Sequence, residues 1–494
     1  MTTTRKTSNA RARVEGRAKD GMVNAPARDD DDEDDDRGTI GRTYTASEVA
    51  THDKTDDLWV IVRDGVYDVT KFVPKHPGGN MIYVKAGGDC TQLFDSYHPE
   101  RARAVLEKYR VGDLKRVRDE KSDLGIVEYE DDLKEGRFYA DVKAGAAKYF
   151  KENKIDPRVH WEMYVKTVVI LAGVVIGHYG SFFAPGVSFG AALMFAVLHG
   201  TCKAEVGVSI QHDANHGAYG NSRTWLHAMQ LTLDIVGASS FMWKQQHVVG
   251  HHAYTNVEGI DPDIRCSEKD VRRVNELQPH EPYHALQHMY LAVMYGLLSF
   301  KSCFVDDFTA FFNGRIGWVK VQKFTPGEAV AFWGSKALWA FYYLFLPLKY
   351  SQRSLLELAA LWTVTEFITG WLLAFMFQVA HVVGEVHFFQ LNKDNKLSKG
   401  WGEAQLMSSA DFAHGSKFWL HFSGGLNYQV VHHLFPGVCH VHYPALAPII
   451  KAAADKHGLE YCVYPSFLSA LSAHFRHLRN VGQRSYVPSL QTVG

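Results

Sequence analysis

Three runs of the chain carry histidines at spacings that suit metal binding. His212 and His216 bracket His-Asp-Ala-Asn-His. His247, His251 and His252 belong to Gln-Gln-His-Val-Val-Gly-His-His, and Gln429 opens Gln-Val-Val-His-His, which ends in His432 and His433. On a helix, residues four apart share a face, so His212 pairs with His216 and His247 with His251. His252 is turned about a quarter of the way round and reaches toward a second position. Imidazole-rich donors with no thiolate beside them suit iron, zinc, copper or nickel rather than magnesium or calcium. Seven imidazoles exceed the usual coordination of one ion, so two metals are the economical reading. Asp213, Asn215, Asn256, Asp261, Asp263 and Asn427 are polar neighbours able to fix imidazole tautomers. A separate pair, His76 in His-Pro-Gly-Gly and His98 before Pro99, lies far upstream, where Pro-Gly-Gly alone is ordinary turn chemistry. His280, His284 and His288 form a stripe with no carboxylate partner and read as a surface helix. His199 lies inside an apolar run and reads as packing. His178, His227, His387, His414, His421, His440 and His442 take no role.

The elements that must position these residues follow from composition. A length of 494 residues predicts two or three domains. Lys plus Arg total 53 against 54 Asp plus Glu, which excludes an overall basic, nucleic-acid-binding surface. Six scattered cysteines without a CxxC pair argue against a disulfide scaffold or zinc ribbon. Residues 1–40 pass from a basic stretch into eight consecutive acids, Asp29 to Asp36, and read as a disordered tail. In residues 41–117 two short strands, Leu58 to Val62 and Val66 to Val69, flank Arg63-Asp64-Gly65, with small helices near Phe94 and Leu106. Residues 118–160 read as an amphipathic linker with Tyr129, Leu133, Phe138, Tyr139, Val142 and Ala146 at helical spacings.

Residues 161–494 are different. Runs at 164–183, 189–208, 329–348 and 355–380 are long enough to cross about 30 Å of hydrocarbon. They carry Lys203, Glu205, Lys336, Glu357 and Glu366, which must face protein or lie near an end. Residues 225–243 and 288–304 read as helices lying on the membrane surface. The tip of the first pair lacks Lys and Arg while its flanks are basic, which places the flanks in the cytosol. Two spans separate the second and third histidine runs, so all three return to one side. No Gly-rich dinucleotide motif follows a strand, so any electrons come from a separate reductase.

Two resemblances sharpen this picture. The stretch holding Tyr67-Asp68-Val69-Thr70, HPGG, His98 and Tyr109-Arg110-Val111-Gly112 resembles the cytochrome b5 family. That likeness implies haem b between axial His76 and His98, with an iron saturated for electron transfer and closed to substrate. The boxes HDANH, QQHVVGHH and QVVHH resemble the membrane-bound di-iron fatty acyl desaturases, over about residues 160–480. The fusion, and Gln429 where other members carry histidine, look like the front-end subclass. The resemblance implies a helical membrane domain of about four spans under a histidine-rich cytosolic cap, plus a small α+β haem domain. It implies iron ligands at His212, His216, His247, His251, His252, His432 and His433, and a further one at His381 ending the fourth span. Gln429 either ligates weakly or positions a neighbour. Val431 stands where the family usually has Glu. Phe377 stands where some relatives carry Asn.

By the same resemblance the activity is O2-dependent desaturation of acyl chains. Breaking an unactivated C–H bond is beyond side-chain acids and bases and needs a redox metal. The expected product is a Δ5 double bond on C20 polyunsaturated substrates, with Δ4, Δ6, sphingolipid Δ8 or hydroxylase chemistry as alternatives. Expected partners are NADH-cytochrome b5 reductase, an acyl lipid or acyl-CoA and membrane lipid, in the endoplasmic reticulum. A metal transporter would explain histidines beside spans but not the haem domain.

Overall fold

The protein is described by a computed structural model for residues 41–115, 127–131, 133–134, 136–265 and 270–484. The expected acidic tail, residues 1–40, and Cys266 lie outside these residues. A five-stranded sheet opens the described part of the chain, in the order Thr43–Tyr44, Arg110–Leu114, Gly65–Asp68, Asp57–Val62, Asp53–Lys54. Trp59 pairs with Asp68 and Val62 with Gly65 around the expected turn, where Arg63 takes a left-handed φ of 57°. Alternation along Asp57–Val62 sends Leu58, Val60 and Val62 to one core with Tyr67, Val69, Ala86 and Leu106, while Ile61 packs on the other face. Short helices Thr91–Tyr97 and Arg101–Leu106 follow, as expected from the apolar patches at Phe94 and Leu106.

The linker differs from its periodicity. Among its described residues only Phe138–Asn153 is helical, burying Phe138, Tyr139, Val142 and Ala146. Tyr129 instead sits in a strand, Glu128–Glu130, paired in parallel with Lys396–Gly400. A partner strand 266 residues away in sequence overrides the local helical spacing.

Among the described residues, five helical runs are long and apolar enough to cross a membrane: Trp161–Phe182, Phe189–Asn215, Pro282–Asn313, Pro326–Tyr350 and Leu355–His381. Four are the expected spans. Pro282–Asn313 exceeds the expected surface helix, because a 3-10 turn before Gln287 and further turns after Met294 extend it in broken segments. Trp161, Val168, Val175, Val330, Leu355 and Leu356 are apolar and exposed, as lipid-facing side chains are.

Charges in these runs are paired or capped. Lys203 and Glu366 form a buried ion pair, and Glu366 also accepts from Tyr343 Oη (2.6 Å) and from Ser299. Lys336 meets Asp307 at 2.5 Å, Glu205 accepts from Ser209 at 3.0 Å, and Glu357 caps the start of its own helix. Helices Phe189–Glu205 and Leu355–His381 approach closely at Gly200. A Cβ there would stand 2.5 Å from the Thr365 carbonyl oxygen, and Thr369 Oγ1 donates to Gly200 O at 3.0 Å. This pair of helices carries His212 and His381 to the same end of the bundle.

Candidate metal centre

Two of the three boxes lie on or beside π-helical turns, Val206–Ile210 before His212 and Lys244–His251 around the second box. A π-turn holds more residues than an α-turn, so four residues fall short of a full revolution. His247 and His251 still share a face as expected, their rings stacked with centres 5.1 Å apart, yet they contribute to different groups. His247 joins His212, His216 and His432, whose ligand atoms lie within 4.8 Å of one another, while His251 joins His381 and His433. His252 stands between the groups, its ring 4.5 Å from those of both His216 and His433. All eight histidines are buried.

Most of these rings have one nitrogen committed outward. His247 Nδ1 donates to Asp263 (2.6 Å) and His251 Nδ1 to Asp261 (2.8 Å). His381 Nδ1 donates to Ser408 O at 3.1 Å, and His433 Nδ1 to Gln405 Oε1 at 2.7 Å. His432 Nδ1 meets Tyr443 Oη at 3.2 Å, and His216 Nδ1 meets Tyr97 Oη at 2.5 Å. The inner nitrogens are left over. Nε2 of His212, His216, His251 and His432 is buried with no hydrogen-bond partner. His381 and His433 bring their Nε2 atoms to 3.1 Å, and His247 and His252 to 3.2 Å. Cis ligands at about 2.1 Å from one ion stand about 3 Å apart, so these spacings match the edge of a coordination shell.

Gln429 lies at the second group, with Nε2 2.9 Å from His381 Nε2 and 3.1 Å from His433 Nε2, and its Oε1 buried without a partner. An assembly of unsatisfied, inward-facing imidazole nitrogens fits two transition-metal ions and has no other account as a packed core.

Electrostatics favour the neutral form of most of the donors. Burial, reinforced by neighbouring imidazoles, holds His216, His252, His432 and His433 well below the ordinary histidine range. Burial takes His247 down to about 4, even against the pull of Asp263. His251 is buried too, but Asp261 outweighs the burial and raises it. Asp263 is held at about 2, because its bonds from His247 outweigh burial.

Other candidates resolve individually. Asn256 Nδ2 donates to the carbonyls of His381, His387 and Ser408, tying three segments together. Asp213 accepts from His440 Nδ1 at 2.8 Å, giving that histidine a packing role beneath the first box. Asn215 bonds Gln211, and Asn427 bonds the Phe412 carbonyl. Val431 is fully buried among Tyr139, Val430 and Leu434, so the outward partner of His432 is Tyr443. Phe377 packs on His251 and His381 with ring centres 5.1 and 4.9 Å away, and Trp243 stacks on His247 at 4.4 Å. His284 is buried rather than on a surface helix, because Asp270 O and the Glu281 amide satisfy its two nitrogens. Tyr97, Gln405, Ser408 and Tyr443 carried no local signal.

Upstream, His76 and His98 face one another with ring centres 5.9 Å apart. Nδ1 of His76 donates to Gly79 O at 3.3 Å and that of His98 to Phe94 O at 3.1 Å, which directs Nε2 to other use. Phe72 and Phe94 pack on the two rings. Two neutral imidazoles between apolar rings fit a haem iron.

Comparison with known proteins agrees with this geometry. The family description "Fatty acid desaturase" matches residues 188–465, and "Cytochrome b5-like Heme/Steroid binding domain" matches residues 45–115. The chain is 50% identical over 442 residues to an acyl-lipid (8-3)-desaturase of Physcomitrium patens, covering 89% of this chain and 92% of that one. It is 32% identical over 451 residues to Delta(5) fatty acid desaturase A of Dictyostelium discoideum, covering 90% and 94%. It is 33% identical over 338 residues to an sn-1 linoleoyl-lipid 6-desaturase of Synechocystis, covering 68% and 93%. The chain therefore belongs to the fatty acid desaturase family, as a cytochrome b5-fused, front-end member and an oxidoreductase of the membrane.

Proposed function

We propose that this enzyme introduces a cis double bond into polyunsaturated acyl-lipid chains, at Δ5 of C20 substrates, using O2. The observation that carries the reading is the convergence of eight buried imidazoles, four of which (His212, His216, His251 and His432) have an Nε2 with no hydrogen-bond partner. His212, His216, His247 and His432 would hold one iron. His251, His381 and His433, with Gln429 beside them, would hold the other, and His252 lies between. Bound there, the ions would supply the redox chemistry with O2, the oxidant, that side chains lack. The chain's own residues orient the donors and keep them dry. Asp261, Asp263, Gln405 and Ser408 fix ring tautomers, while Trp243 and Phe377 present apolar faces to each group, suited to an acyl chain.

His76 and His98 would ligate a haem in residues 41–117, reduced by an NADH-cytochrome b5 reductase. Residues 118–160 would link it to the membrane domain, 161–494, in the endoplasmic reticulum with the histidines cytosolic. Three boxes meet in one site only if an even number of crossings separates the second from the third. Pro326–Tyr350 and Leu355–His381 therefore cross, and Pro282–Asn313 lies along the interface. The Δ5 assignment is supported by the name of one of these relatives, while the others are named an (8-3)-desaturase and a 6-desaturase. Expression in yeast fed defined polyunsaturated acids, with product double bonds located by mass spectrometry, tests it. A Δ5 bond on C20 acids is expected; a Δ4, Δ6 or Δ8 bond would replace that regiochemistry, and a hydroxylated product would replace desaturation itself.

A further inference from the structure

We infer that Tyr97 makes the haem domain a structural part of the metal centre, as the outer partner that positions His216. The inference rests on reading His216 as a metal ligand. Tyr97 is the last residue of helix Thr91–Tyr97 and immediately precedes His98, which leaves the helix in an extended conformation. His98 turns back to bond Phe94 O. Tyr97 reaches across to the membrane domain, where its hydroxyl lies 2.5 Å from His216 Nδ1 and the two rings are nearly parallel, 15° apart.

The other held ligands take their outward partner from the membrane domain: Asp263, Asp261, Ser408, Gln405 or Tyr443. His216 alone takes it from the haem domain. Its Nε2 is buried and unpartnered, on the side of the metal group. With Nδ1–H donating to the phenol oxygen, the lone pair is fixed on Nε2, the atom a metal needs.

The contact is seated by neighbours that read backbone. Arg223 donates to His76 O at 2.5 Å and Pro74 O at 3.2 Å, and Gln322 Nε2 donates to Ala86 O at 2.8 Å. Lys323 meets Asp53 at 3.0 Å. Gly437 leaves room for the phenol, since a Cβ there would stand 3.3 Å from Tyr97 Cδ1. Haem ligand and metal ligand are thus joined by one peptide bond, one side chain and one hydrogen bond.

The test uses the full chain in detergent. Iron is titrated away with a chelator and measured by elemental analysis, with the haem Soret band followed in the same samples. Tyr97→Phe is expected to keep the Soret band and lose iron at about 10–100-fold lower chelator, the usual cost of removing an outer partner. Gly437→Val, which crowds the Tyr97 ring without altering the haem domain's sequence, should weaken iron retention in the same direction and serves if Tyr97→Phe fails to fold. Cobalt(II) loaded into Tyr97→Phe in place of iron should show shifted visible bands, which a merely structural role for the hydroxyl would leave in place. Iron retention and cobalt bands matching the parent chain in a variant with an intact Soret band would overturn the inference. His216→Ala runs alongside: if it too retains iron like the parent, the reading of His216 as a ligand falls first, whereas iron loss in His216→Ala alone removes only the role of Tyr97.

Discussion

Each imidazole in the centre has two nitrogens with separate duties, and substitutions should separate them. His251→Ala removes an inner donor and is expected to abolish new double bonds, with the haem spectrum unchanged; product analysis and a Soret scan on the same preparation check both. Asp263→Asn keeps the shape beside His247 but removes the charge that His247 Nδ1 donates to. Metal affinity is expected to fall about 10–100-fold, read by chelator competition. At this scale the inner residues were legible because histidines at short fixed spacings are rare and chemically specific. Asp261 and Asp263 were legible too, lying close behind the second box. Tyr443, Gln405 and Ser408 were not, because each arrives from a segment whose local sequence carries no sign of the ring it will meet. The third-box valine illustrates the same limit: its neighbourhood is a packed core, and the polar partner of His432 comes from Tyr443 instead.

Among the elements, the spans were legible as long apolar runs, and their charges were expected to find partners. Lys203→Met leaves Glu366 without its counter-ion inside the bundle. It is expected to cost about 3–5 kcal/mol, while Lys203→Met with Glu366→Gln recovers most of that, because removing both charges also removes the desolvation cost. Thermal unfolding in detergent distinguishes the two variants. Gly424 has φ +62°, and a Cβ there would stand 1.9 Å from the Val208 carbonyl oxygen in the π-helical turn ahead of His212. Gly424→Ala is expected to destabilise by more than about 2 kcal/mol, and its melting temperature measures this. What periodicity hid was the division between groups: His247 and His251 share a face, their rings stacked 5.1 Å apart, yet each sits with different histidines. Long-range pairing was hidden as well, since Tyr129 follows its strand partner and not its helical spacing.

For the molecule as a whole, an α+β front end and a helical membrane part were both legible in composition, but not how one sits on the other. The haem pair offers a test of the front end. Burial, and then the neighbouring His76, hold His98 down to about 4, and burial lowers His76 too. The unfolded imidazole titrates near 6.5, so between these values the unfolded chain binds more protons. In the haem-free chain, stability from this pair is therefore present above about pH 6.5 and lost as pH falls toward about 4, at about 1.4 kcal/mol per pH unit for each histidine. Denaturant unfolding of the haem-free protein should become easier through that window; a midpoint unchanged between about pH 6.5 and 4 would contradict it.

The seat made by Arg223, Gln322 and Lys323 has a kinetic consequence. A donor held on the same chain works at an effective concentration on the order of millimolar. Haem-to-metal transfer in a single turnover should then be first order and indifferent to dilution of the enzyme. Freely diffusing cytochrome b5 would have to approach millimolar levels to compete, so the cell's carrier pool would not set the pace of this step. Supply would be limited one stage earlier, where an external electron donor would have to find a haem already docked against its acceptor.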